Sequence, residues 1–387
     1  MNMKLNLFLF SLLFSLKSIS QVPQTYTTFQ GAVLNLYKYE GTNTMILTNS
    51  NSLNSSAMSN WLNATDGTYN FYYSCTGQYP NCYTNVTCFN GKSTIARVEA
   101  TCGAGCGYLG FTGIELLNTY FDNTYTRILN DNQYDQAFFY EFGRNFWFYD
   151  NKLKYTSNDP IVTGYAVFMR FMSIESLGLN GAPFNGTLDF NTFKNQVRNL
   201  RVTYMADSSL NWANTLGVGQ GVPSSGWGAT DLFASFCFYL KENYGGMNWV
   251  QNVWKKAALR PTATTTQDAV DNFIIASSQA ANVNLISLFQ YWKWTPSASA
   301  IAYLNSTLGV SQITNLNKPI MYPNPVKDKL NIEYDLKDFK IYSQDGKFIK
   351  SYKSTNSVDF SNLSSGIYYI ETITKENEKF LSKIVKE

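Results

Sequence analysis

The spacing of apolar residues changes twice along this 387-residue chain, and those changes restrict its fold more than any single motif does. From about residue 22 to 100, short alternating or β-branched pieces (AVLNLYKY, TMILT, YNFYY, STIARVEA) are separated by Gly, Asn and Ser clusters, the pattern of strands and loops. From about residue 111 to 300 the apolar residues recur at helical spacing, as in GIELLNTYFDNTYTRIL, VTGYAVFMRFMSIESLG and DLFASFCFYLKENY. Beyond about 318 the alternation returns in KLNIEY, FKIYS and GIYYIETI, with QDG at 344–346 supplying a hairpin turn. Residues 321–387 hold 11 of the chain's 30 basic residues and 10 of its 27 acidic ones, so a compositional boundary accompanies the change of period. An α+β chain is expected: a β-rich region at 21–100, a mainly helical domain at 101–313, a linker at 314–319 and a small antiparallel Ig-like β-sandwich at 320–387.

The first twenty residues carry Lys4, an apolar run from Leu5 to Leu16 and small residues at Ser18 and Ser20, which predicts a signal peptide over 1–20. No later run reaches the roughly 20 apolar residues of a membrane span, so an exported protein with no transmembrane segment is expected. A net charge of +3 from interspersed signs excludes a nucleic-acid surface. Five of the six cysteines, Cys75, Cys82, Cys88, Cys102 and Cys106, fall close together and are disulfide candidates in an oxidising compartment, with the connectivity left open. The chain contains no histidine. Ser-His and Cys-His nucleophiles and imidazole metal ligands are therefore excluded, and any chemistry falls to carboxylates, Tyr, Lys, Arg or thiols.

Within FFYEFGRNFW (138–147), Tyr140, Glu141 and Arg144 stand at the positions of an H-E-x-x-H helix. Counting 19 residues on from Arg144 reaches Thr163 in PIVTGYAVFMR, where Gly164, Ala166 and Arg170 match a Glu-Gly-x-Ala-x-x-x-Arg pattern. NVNLISLFQYWKWTPSASA (282–300) adds an apolar segment with Trp292, Trp294 and Pro296, similar to a late-helix Leu-x-x-Phe-Phe-x-x-Trp-x-Trp-Pro pattern. Together these segments resemble the enhancin-like gluzincin metallopeptidases. The resemblance implies a zincin-like domain over about 101–300 whose late helix packs behind the cleft. It also implies vestigial metal positions at Tyr140, Arg144 and Thr163, and Glu141 as a vestigial general base. Since arginine has no lone pair for zinc and repels a cation, no metal, no cofactor and no catalytic residue are expected. Arg144 is expected to pair with Glu141 three residues away, with Trp147, Arg170 and Glu175 as cleft residues.

Two other readings stand beside this one. The aromatic residues of 138–148 also suit a plain buried helix. A carboxylate glycosidase is open to Glu115, Glu141, Asp150 or Glu175, although no spacing selects a pair. Gly105-x-Gly107-x-x-Gly110 matches a dinucleotide fingerprint, but between cysteines it reads as a disulfide-stapled turn entering a helix at 113–117.

MYPNPVKDKLNI (321–332), LSSGIYYIE (363–371) and SKIVKE (382–387) resemble the type IX secretion C-terminal sorting domain of Bacteroidetes. The residues carrying the match are Tyr322, Pro323, Asn324, Pro325, Gly366, Tyr368, Lys383 and Val385. The resemblance implies type IX machinery as a partner and a secreted or cell-surface location. The expected role is a metal-free, peptidase-like module that binds an extracellular peptide or glycan. A histidine-free hydrolase and a structural surface protein are the alternatives.

Overall fold

The computed structural model describes residues 23–155, 159–309, 319, 321–375 and 379–387. The signal-peptide reading and all but the last residue of the linker lie outside them.

Among the described residues, 23–150 and 162–196 form one unit. Its sheet contains β1 (Pro23–Thr27), β2 (Val33–Glu40), β3 (Thr44–Thr48), β4 (Ser93–Val98), β5 (Gly105–Gly107) and β6 (Ile114–Leu117), in the order β1-β2-β3-β4-β6-β5. Strands β3, β4 and β6 run parallel, and β5 closes one edge antiparallel to β6. The helices are α1 (Ser55–Thr76), α2 (Asn118–Asp131), α3 (Ala137–Asn145), the short α4 (Asp150–Leu153), α5 (Pro160–Ser176) and α6 (Phe190–Ala206), the last three reaching into the second unit.

Two strand–helix assignments differ from the sequence reading. YNFYY (69–73) lies inside α1, which Asn54 caps through its Oδ1 and the Ala57 N–H (3.0 Å) and which ends at Gly77 with φ +73°. Aromatic residues favour strands only weakly, and here Trp61, Thr65, Thr68, Tyr69 and Tyr72 form a buried helical stripe, with the Tyr72 hydroxyl donating to the Phe139 carbonyl at 2.8 Å. The region 21–100 is thus β-α-β rather than β-rich. Conversely, Ile114–Leu117 is strand β6 and not the start of a helix, which begins at Asn118. Four apolar-rich residues do not distinguish the two periods, and pairing with β4 (Ile95 opposite Ile114) decides the matter.

The described residues within 151–161 and 197–387 form the second unit. Its helices are α7 (Ala229–Asn243), α8 (Met247–Ala258), α9 (Thr266–Ala281), α10 (Ile286–Tyr291) and α11 (Ala298–Leu308). Trp292 and Trp294 are buried among Phe236, Phe273 and Phe289. The sandwich contains β7 (Met321–Tyr322), β8 (Lys329–Ile332), β9 (Leu336–Ser343), β10 (Phe348–Lys353), β11 (Ser357–Asp359), β12 (Gly366–Thr374) and β13 (Lys379–Lys386). Its antiparallel sheets, β10-β9-β12-β13 and β11-β8-β7, enclose Leu330, Ile332, Phe339, Ile341, Val358, Ile370 and Ile384. The α+β class and the C-terminal sandwich are as expected.

Candidate functional site

A cleft of about 830 Å³ opens beside β5 in the first unit, a size suited to a small molecule or a short chain segment. Its lining comes from the β5 edge (Ala104, Gly105), α2 (Tyr120, Asn123, Arg127), the entry to α3 (Asp135 to Ala137, Tyr140, Glu141), Arg170 of α5 and the loop 183–186. The α3 helix reaches this position because Gly143 lets it approach α5: a Cβ there would lie 2.8 Å from the Ala166 Cα. The two peptidase-like segments are therefore in direct contact.

Glu141 is 5% exposed, and its Oε2 has no hydrogen-bond partner. Burial raises its pKa to about 7, against the opposing pull of Arg144 and the Gly107 amide. Arg144 compensates poorly because its Nε lies 4.0 Å from that oxygen and donates instead to the Gly107 carbonyl at 3.2 Å. The β5 register explains this contact. Cys106 faces Glu115 of β6 in a hydrogen-bonded pair, so Gly105 and Gly107 turn their backbone groups outward to the free edge. A Cβ on Gly107 would lie 3.2 Å from Glu141 Oε2 and 2.9 Å from Asn145 Nδ2, and one on Gly105 would lie 3.1 Å from the Glu141 Cγ.

Gln136 presents a second buried acceptor without a partner, its Oε1, while its Nε2 donates to the Ala182 carbonyl at 3.0 Å. The Arg170 guanidinium is packed among rings, 4.8 Å from Phe193, 4.9 Å from Phe171 and 5.9 Å from Tyr140. Burial raises the Asp135 pKa, opposed by the Ala137 amide, which donates to its Oδ1 at 3.0 Å, and by Arg127 and Arg170.

Of the predicted residues, the structure brings Tyr140, Glu141 and Arg170 together at the cleft. Arg144, Thr163, Trp147 and Glu175 are not among its lining residues. Trp147 is a buried ring whose Nε1 donates to Asp150 Oδ1 at 2.5 Å, and Glu175 pairs with Lys194 at 3.9 Å. Their placement in the cleft is corrected accordingly, since helical spacing puts a residue on a face without saying what that face meets. Thr163 is a half-buried residue of α5. Glu115 is also turned away: its Oε1 accepts from the Phe29 amide (2.6 Å) and the Tyr26 hydroxyl (3.2 Å). The plain-helix reading holds for one face, where Phe138, Phe139, Phe142 and Phe146 are fully buried. Sequence reasoning missed Arg127, Asp135 and Gln136; an acidic residue just ahead of the α3 helical pattern, Asp135, is the signal that was available.

Zinc does not fit these residues. Arginine offers no lone pair, and among the described residues no group of three or more Cys, Asp or Glu side chains is gathered to hold a metal ion.

Two disulfides flank the sheet, Cys82–Cys88 and Cys102–Cys106, with Cα separations of 5.4 and 5.6 Å. Cys75 takes part in neither. It is buried in α1, which corrects its place among the disulfide candidates. The second disulfide ties Cys106, the central residue of β5, to the loop before that strand, and no helix follows it directly.

The sandwich motifs also converge. Asn324 clamps the terminal strand β13: its Nδ2 donates to the Lys383 carbonyl (3.0 Å) and its Oδ1 accepts from the Val385 amide (2.8 Å). Val326 continues the contact, donating to the Val385 carbonyl and accepting from the Glu387 amide. The Tyr368 hydroxyl donates to the Ser364 carbonyl at 2.7 Å, fixing the approach to β12, which begins at Gly366. Residues 320–387 match the family described as a secretion system C-terminal sorting domain. That stretch is a type IX sorting domain. The protein is therefore cargo of type IX export, delivered to the cell surface or secreted, and no helix among the described residues is long and apolar enough to cross a membrane.

No curated protein matches the sequence. Among solved structures, the chain is similar to a metallopeptidase from Bacteroides thetaiotaomicron (11% identity, TM-score 0.48, covering 90% of this chain and 65% of that one). It is also similar to the catalytic module of the metalloprotease ZmpA from Clostridium perfringens (14%, 0.48, 91% and 68%). A third similar structure is a functionally unknown conserved protein from Bacillus anthracis (10%, 0.48, 91% and 72%).

Proposed function

We propose that the protein is a metal-free, non-catalytic binding module displayed or released by type IX export, and that its cleft takes an extracellular peptide or glycan. The observation that carries this reading is that Glu141 and Gln136, both residues of the cleft lining, each hold a buried acceptor, Oε2 and Oε1, without a hydrogen-bond partner. A buried acceptor left unpaired costs about 1–3 kcal/mol, which a ligand N–H or O–H donor recovers. The donor set supports a metal-free site, because Tyr140, Arg144 and Thr163 replace all three ligands of the resembled motif.

The test is a binding panel of peptides, mucin glycopeptides and glycans on purified protein, run beside metal analysis and turnover assays. Saturable binding that weakens in Glu141→Gln, without turnover, is expected; stoichiometric zinc refutes the reading. A second reading, hydrolysis by carboxylates alone, is favoured by Asp135 and Glu141 sharing the cleft with pKa values both raised by burial. Turnover abolished by Glu141→Gln would establish it in place of the first.

A further inference from the structure

Within the second unit, α6 and the sorting domain share a buried ion cluster. Glu242 of α7 holds Arg198 by two bonds, Nε to Oε1 at 2.7 Å and Nη2 to Oε2 at 2.9 Å. The remaining Nη1 of Arg198 donates to Oε1 of Glu333 at 3.2 Å, and Arg201 Nη2 donates to the other oxygen of that carboxylate at 3.4 Å. Glu333 directly follows β8 of the sandwich. The side chains of Arg198, Arg201 and Glu333 are 8%, 10% and 10% exposed. The Arg198 guanidinium also lies 3.8 Å from the centre of the Tyr322 ring, and Asn199 Nδ2 donates to the Tyr322 hydroxyl at 3.3 Å.

The charges in this cluster are unevenly shared. On the helical side two guanidiniums meet one carboxylate, Glu242, and the balancing charge comes from the sandwich. Glu242 orients Arg198 without help from the sorting domain, so the receiving site is organised in advance. Buried as it is, Arg201 would lose its carboxylate if the sandwich moved away, and an uncompensated buried charge is strongly unfavourable.

We propose that Glu333 acts as the bolt of an intramolecular latch that holds the sorting domain against α6 and covers Tyr322, the first residue of the Tyr-Pro-Asn-Pro motif, with Arg198. The latch makes that face of the export address conditional. Tyr322 is half-buried in this arrangement, and a reader reaches the ring face that Arg198 covers only when the Glu333 contacts open, so the folded helical domain controls presentation of its own sorting motif.

The full chain tests this by tyrosine nitration followed by peptide mass spectrometry. Tyr303, 38% exposed, is the reference for an open ring, and Tyr368, 8% exposed, reports whether the sandwich stays folded. In the wild-type protein Tyr322, half-buried with one ring face under Arg198, should react measurably more slowly than Tyr303. In Glu333→Lys, which places a third cation between Arg198 and Arg201, the two rates should converge while Tyr368 remains protected. A Tyr322 that reacts as fast as Tyr303 in the wild type, or that stays protected in Glu333→Lys, overturns the proposal. If lysine unfolds the sandwich, seen as loss of Tyr368 protection, Glu333→Gln decides: faster nitration of Tyr322 with Tyr368 still protected supports the latch, and an unchanged Tyr322 rate refutes it.

Discussion

Replacing Glu141 with Gln should stabilise the protein at alkaline pH and leave it nearly unchanged at acidic pH. Folding raises the Glu141 carboxyl from an ordinary 4.5 to about 7, first because burial strips water from the charge, with Arg144 and the Gly107 amide offsetting only part of the loss. Below about pH 4.5 the group is protonated in both folded and unfolded chains and contributes no pH dependence. Between about 4.5 and 7 the unfolded chain releases the proton while the folded chain retains it, so stability falls as pH rises; above about 7 the loss is complete. At about 1.4 kcal/mol per pH unit the full penalty is on the order of 3 kcal/mol. Gln keeps the shape and removes the titration. Urea unfolding at pH 4.5, 6 and 8 should therefore show the variant gaining up to about 3 kcal/mol at pH 8, as a higher midpoint with an unchanged slope. Stability curves for the two proteins that run parallel across this range would refute the argument, because they would place Glu141 in water or in a well-matched ion pair.

Further outcomes follow from the same geometry. Arg144→Ala removes one bond to the Gly107 carbonyl and a long ion pair from a partly exposed side chain, so it should cost only about 1 kcal/mol at pH 8 and less at pH 5, measured by urea unfolding. Gly107→Ala drives a methyl group against Asn145 and Glu141 and should cost about 1–3 kcal/mol while weakening ligand binding, read by calorimetry. Asn324→Ala removes both clamp bonds from an exposed residue and should cost about 1 kcal/mol, with faster amide exchange at Val385 and little change at Ile370.

Much of the local structure was legible in the sequence. Alternation marked β2 and the sandwich strands, short β-branched runs marked β3 and β4, which are buried on both faces, and helical spacing marked α5, α7, α8 and α9. Three short sorting motifs named the export route. The absence of histidine, with Tyr140, Arg144 and Thr163 at the matched positions, already described a donor set unsuited to zinc. Where period and burial separate, the reading failed: YNFYY looked like a strand until its rings proved to be one stripe of α1, and Ile114–Leu117 was too short to declare its period. Cys75 sat close in sequence to the other cysteines, yet its burial in a helix kept it from them.

Tertiary structure alone decided how Glu141 is held. Its sequence neighbour Arg144 was the evident partner, but the free edge of β5 brings the Gly107 carbonyl closer to the guanidinium, and the carboxylate remains buried and under-compensated. The Asn324 clamp on a strand 59 residues away and the Glu333 contacts with Arg198 and Arg201 were equally invisible in the sequence. Local periodicity depends on a residue's own element, whereas these contacts depend on strand register and helix approach, which only the assembled chain sets.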